Sequence, residues 1–111
     1  EVADLLLGRG AAVNAADQDG NTPLFMSAFH GYREVADLLL GRGAAVNAAD
    51  QDGNTPLCIA ASTGHREVAD LLLAWGAAVD AAAPVGGTPL HAAAANGHRE
   101  VADLLLGRGA A

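Results

Sequence analysis

The sequence predicts an all-α repeat solenoid, a stack of hairpin, helix, turn and helix units, and three observations carry that prediction. Arg-Glu-Val-Ala-Asp-Leu-Leu-Leu stands at Arg33 to Leu40, Arg66 to Leu73 and Arg99 to Leu106, and the chain opens on a further copy, Glu1 to Leu7. Glu1, Glu34, Glu67 and Glu100 lie 33 residues apart, a fixed period of the length that marks a stack of one repeated unit. Thr-Pro-Leu returns in the same register at Thr22, Thr55 and Thr88. Residues 1–10 read as the second helix of a truncated repeat, and 11–43, 44–76 and 77–109 as successive repeats of a single domain, 1–111.

Each element follows from local chemistry. Glu1 to Gly8 reads as a helix, with Gly10 as the left-handed residue after it; Gly43, Gly76 and Gly109 take the same place later. Ala11 to Asn21 has no helical period and closes on Asp17-Gln18-Asp19-Gly20-Asn21, a turn signal that returns at Asp50 to Asn54. In the third copy the tip becomes Ala83-Pro84-Val85-Gly86-Gly87, where proline fixes one φ angle and the acidic residues are gone. Thr22, Thr55 and Thr88 offer an N-cap hydroxyl before a proline at the first helical position, predicting short helices that stop at Gly31, Gly64 and Gly97. In the leucine helix that follows, Val68, Leu71 and Leu72 share one face, with Glu67 and Asp70 turned away. Three consecutive leucines sweep roughly 200° of helix surface, so this helix needs neighbours on several sides, which a stack supplies.

Composition limits the function classes. The chain is 51% apolar, and its nine Asp and four Glu against six Arg, with no Lys, give a net charge of −7. That balance disfavours nucleic acid and anionic membranes, which are bound chiefly through clustered positive charge. A protein partner with a neutral or basic surface fits better. No apolar run reaches the ~18 residues of a membrane span. The single cysteine, Cys58, forms no internal disulfide and suits a reducing intracellular, cytoplasmic setting.

The sequence predicts no catalytic residue, no cofactor and no metal. Gly8-Arg9-Gly10 lacks the third glycine of a dinucleotide loop, and a chain without lysine has no P-loop. Cys58 has no base placed beside it and reads as a small buried residue. His65 and His98 read as structural, without metal-ligand spacing, whereas His30 ends a short helix where exposure is expected. Asp17, Asp19, Asp50 and Asp52 lack the remaining ligands of a calcium loop. They read as turn carboxylates that would align into an acidic strip and steer a basic partner.

Gly87-Thr88-Pro89-Leu90-His91-Ala92-Ala93-Ala94, followed by Asn96-Gly97-His98-Arg99-Glu100-Val101 and Leu104-Leu105, closely resembles the ankyrin repeat consensus, as does Gly43-Ala44-Ala45-Val46-Asn47-Ala48. The resemblance covers essentially the whole chain. It implies a protein–protein interaction module whose short helices and hairpin tips line a concave recognition surface. The histidine of the family's Thr-Pro-Leu-His survives only as His91, with Phe25 and Cys58 in the matching places. If that histidine ties neighbouring repeats together, the other two repeats rely on packing. The usual Gly-Ala-Asp-Val reads Gly-Ala-Ala-Val in every copy, which removes a turn carboxylate.

The 17 residues Gly8 to Leu24 recur unchanged at Gly41 to Leu57, as in a recent duplication or a designed array. Variation is concentrated in Phe25 to Tyr32, Cys58 to His65 and His91 to His98. Partner-binding residues are therefore expected at the tips, Gln18, Asp19, Asn21, Gln51, Asp52 and Asn54, and at the ends of the short helices, Phe29, His30, Tyr32, Ser62 and Thr63. Phe25, at the inward histidine position, is expected in the core. The alternative is a structural or engineered scaffold segment with no binding role of its own. Because neither the first leucine helix nor Leu104 to Leu106 has a covering repeat in the sequence, the ends are also expected to fray or self-associate.

Overall fold

A computed structural model of the chain describes residues 12–111. The helix and glycine expectations for residues 1–10 lie outside the described residues. Within them, six helices follow one another: α1 (Pro23–His30), α2 (Arg33–Gly41), α3 (Pro56–Thr63), α4 (Arg66–Ala74), α5 (Pro89–Ala95) and α6 (Arg99–Gly107). They form three helix pairs, each preceded by a hairpin-like loop.

The short helices start where the Thr-Pro signal predicts. The Oγ1 atoms of Thr22, Thr55 and Thr88 accept from the N–H groups of Phe25, Cys58 and His91 at 3.1, 3.2 and 3.2 Å, each ahead of a proline that has no N–H to satisfy. Gly64 shows why a glycine ends α3. Its φ is +79°, and a Cβ there would lie 2.5 Å from the Nδ1 of His98, whose ring packs against it from the next repeat. The chain reverses with His65 N–H donating to Ala60 O at 2.9 Å, a bond that ties the turn back to the helix.

The first helices, α1, α3 and α5, stack on one another; α2, α4 and α6 pack against them as a second layer. Leu24, Leu57, Leu72, Leu105, Val68 and Val101 fill the space between, with Ala28, Ala36, Ala60, Ala61, Ala69 and Ala93 buried in the same core. Small side chains at a helix contact let the two axes approach more closely. The leucine run behaves as its sweep requires. In α4, Leu71 and Leu72 are buried and Leu73 is half-buried against the same core.

Hydrogen bonds between repeats come from an unexpected place. Asn14 Oδ1 accepts from Ala45 N–H at 2.8 Å, Asn47 Oδ1 from Ala78 N–H at 2.9 Å, and Asp80 Oδ1 from Ala111 N–H at 3.2 Å. His91, by contrast, turns to its own repeat: its Nδ1 accepts from Thr88 N–H at 3.1 Å and completes a capping box. Two other histidines reach across: His98 Nε2 lies 3.1 Å from Ser62 O, and the His65 ring packs against Gly31.

Candidate functional site

The hairpin tips are built from divided aspartates. Asp17 Oδ1 accepts from the N–H groups of Asp19 and Asn21, both at 2.9 Å, and Asp50 Oδ1 does the same for Asp52 and Asn54. These two carboxylates hold their own turns. The Asn21 N–H, helped by the Asp19 N–H and the Asn21 side chain, keeps the Asp17 carboxyl below its ordinary pKa. Asp19 and Asp52, the other member of each pair, both border the groove beside the first helices.

Successive tips approach closely. Asp19 O accepts from Gln51 N–H at 3.1 Å, and a Cβ on Gly20, whose φ is +81°, would stand 2.9 Å from that nitrogen. One period later Pro84 occupies the place of Gln51 and has no N–H to give to Asp52 O. The third tip closes differently, by paired backbone bonds between Ala83 and Gly87 that leave Val85 98% exposed at its apex.

Between tips and first helices runs a groove. Its first part, a concavity of about 320 Å³, is lined by Asp19, Asn21, Phe25, Met26, Phe29, Asp50, Gln51, Asp52, Asn54 and Ile59. The next part, about 590 Å³, shares Asn54 and Ile59 with it and continues over Cys58, Ser62, Val85, Gly86, Gly87, His91, Ala92, Ala95 and Asn96. The floor is apolar and the rim at the first two tips is acidic. Cys58 and His91 both line the groove's second part, the thiol directed at Ala81 O at 3.6 Å and the imidazole Nδ1 accepting from Thr88 N–H.

The family description "Ankyrin repeats (3 copies)" matches residues 1–83 and again residues 44–111. The chain belongs to the ankyrin-repeat family. Ankyrin repeats are generally protein–protein interaction modules without catalysis of their own. No curated protein matches the chain. Among the described residues no helix is long and apolar enough to cross a membrane.

Within this ankyrin stack the expected partner-binding residues separate into groups. Asp19, Asn21, Phe29, Gln51, Asp52 and Asn54 come together in the first concavity, and Ser62 joins Asn54 in the second, where its Oγ accepts from Asn96 Nδ2 at 3.3 Å. Gln18 is exposed at its tip, outside the groove lining. His30 stacks on Tyr32 with ring centroids 5.4 Å apart and meets Phe29 edge-on at 5.0 Å. Tyr32 lines a separate hollow with Gly31, Arg33, Glu34 and Val35. Thr63 is tied inward, its hydroxyl donating to Ile59 O at 2.7 Å and lying 2.8 Å from His65 Nδ1.

Phe25 is buried, as its position predicts, yet its ring also forms part of the groove floor. Sequence reasoning overlooked Met26, Ile59 and Ala92, which occupy one position in the three ankyrin repeats and all line the groove. The signal was present: this position changes from Met to Ile to Ala while the Thr-Pro-Leu before it does not.

Proposed function

We propose that this ankyrin stack is a protein-binding module, without catalysis, cofactor or metal of its own, that receives a segment of a partner protein along the groove between hairpin tips and first helices. The observation that supports it most is the meeting of Phe29 and Met26 with the Asp19 and Asp52 tips around one concavity of about 320 Å³. Phe29 is 44% exposed although nothing about helix stability asks for an aromatic there. Aromatic anchors beside a charged rim are the usual composition of a binding hot spot.

The net charge of −7 and the two rim carboxylates favour a partner with a neutral or basic surface and oppose nucleic acid or anionic membrane. The buried free thiol of Cys58 suits an intracellular setting. Partner capture followed by titration with purified components tests the groove. Phe29→Ala is expected to weaken binding by more than ~1 kcal/mol, the hot-spot threshold, while Gln18→Ala changes it little. Equal affinity of wild type and Phe29→Ala, with helicity unchanged by circular dichroism, would move the site out of the groove.

A further inference from the structure

The second layer of helices carries a feature that the groove does not use. Arg108, the C-cap residue of α6, forms an ion pair with Asp70 of α4. One 33-residue period earlier, Trp75 stands where Arg108 does and Asp37 where Asp70 does. The two caps have the same backbone conformation, φ −92° and ψ 11° at Trp75 against φ −104° and ψ 15° at Arg108, and α4 packs beside α2 as α6 does beside α4. The frame that brings a guanidinium to a carboxylate is thus repeated, with the guanidinium replaced by an indole.

Among the described residues no ion pair or hydrogen bond reaches the exposed Asp37 carboxylate, not even from Arg33 four residues before it. Trp75 is 47% exposed and stacks on no other ring among the described residues. Trp75 thus keeps nearly half of its surface open in a position that a charged link fills elsewhere in the same molecule.

We propose that Trp75 and Asp37 form a receptor for an arginine side chain of a partner protein, on the layer of second helices and separate from the groove. The molecule supplies its own template: the carboxylate of this register already accepts a guanidinium at Asp70. A guanidinium arriving from outside would bond the Asp37 carboxylate and lie against the indole face, so charge-assisted hydrogen bonds and a cation–π contact act on one group. Arginine suits both contacts; a lysine ammonium lacks the planar fork and stacks less well. The net charge of −7 draws cationic segments toward the surface as a whole.

Trp75 is the chain's one tryptophan, so its fluorescence reports on the site directly. The 111-residue chain is titrated with a short arginine–glycine peptide and with its lysine counterpart of equal charge. The arginine peptide is expected to shift Trp75 emission saturably, with about five-fold tighter binding than the lysine peptide, and Asp37→Asn to weaken it about five-fold. Trp75→Arg, which rebuilds the internal pair, is expected to abolish binding in calorimetry. Phe29→Ala in the groove should leave this binding unchanged, so the two surfaces fail or succeed separately. Equal response to both peptides, or an Asp37→Asn variant that binds as wild type does, overturns the proposal. So does a dimer in sedimentation that Trp75→Arg dissolves, since the occupant would then be a second copy.

Discussion

Asp17 and Asp19 have the same chemistry and stand two residues apart, yet the turn binds only one of the two carboxylates firmly. Asp17 accepts two backbone N–H bonds and one from the Asn21 side chain; Asp19 accepts a 3.3 Å bond from the exposed Gln51 amide. Two predictions separate their roles. The folded pKa of Asp17 is lowered, so its contribution to stability is present above the unfolded value and disappears as pH falls through the folded one, below about pH 4. Carbon-detected NMR titration should place the Asp17 midpoint below that of the same residue in an unfolded peptide, and Asp17→Asn should lessen the loss of stability in that acid range. Asp19→Lys should leave the fold almost untouched and instead slow association with a basic partner and flatten its salt dependence. A variant whose dissociation rate alone changes would show Asp19 making a desolvated contact, not steering.

At the scale of elements, the sequence disclosed what local chemistry decides and concealed what depends on stacking. Thr22, Thr55 and Thr88 announce helix starts because cap, proline and first turn lie within four residues. The leucine triplets announce multiple neighbours for a reason equally local. The Asn14, Asn47 and Asp80 links were not legible, since each joins residues 31 apart and exists only once two loops are set side by side. The same holds for the groove: Asp19, Asn21 and Phe29 were expected on it from variability and turn position, but Ile59 and Tyr32 could be sorted onto different surfaces only by the orientation of the helices. The loop links predict that Asn47→Ala, which removes the acceptor for Ala78 N–H, destabilises the chain by about 0.5–1 kcal/mol, because the freed donor can turn to water. Asn47→Asp should recover most of that loss, as Asp80 serves the next link with a carboxylate. Urea midpoints that do not distinguish the alanine variant from wild type would mean that packing alone holds the loops in register.

For the whole molecule, a lesion's position in the stack should matter as much as its chemistry. The protein is elongated, 41 × 24 × 20 Å, and its helix pairs contact chiefly the pair before and the pair after. Stability in such an array is the sum of what each repeat contributes and what each interface between neighbours contributes. Leu72 and Leu105 allow a controlled comparison, because they occupy the same position of α4 and α6 and are both fully buried, at 0% exposure. Either leucine changed to alanine removes the same side chain, a loss of about 2–5 kcal/mol in a packed core. That is a large share of the roughly 5–15 kcal/mol that holds a typical domain together. Leu72→Ala weakens a repeat with neighbours on both sides, so it disturbs two interfaces and leaves α1 and α5 each with a poorer support. In the 111-residue chain Leu105→Ala disturbs one, and the stack can answer by opening α6 while α1 to α4 stay folded. Hydrogen exchange followed by mass spectrometry should therefore show protection falling across α1 to α6 in the first variant and only in α5 and α6 in the second. Urea unfolding should stay a single transition for Leu72→Ala and broaden for Leu105→Ala as the last pair opens ahead of the rest. If both variants lost protection uniformly, the chain would be folding as one undivided unit, and the nearest-neighbour account of its stability would have to be given up.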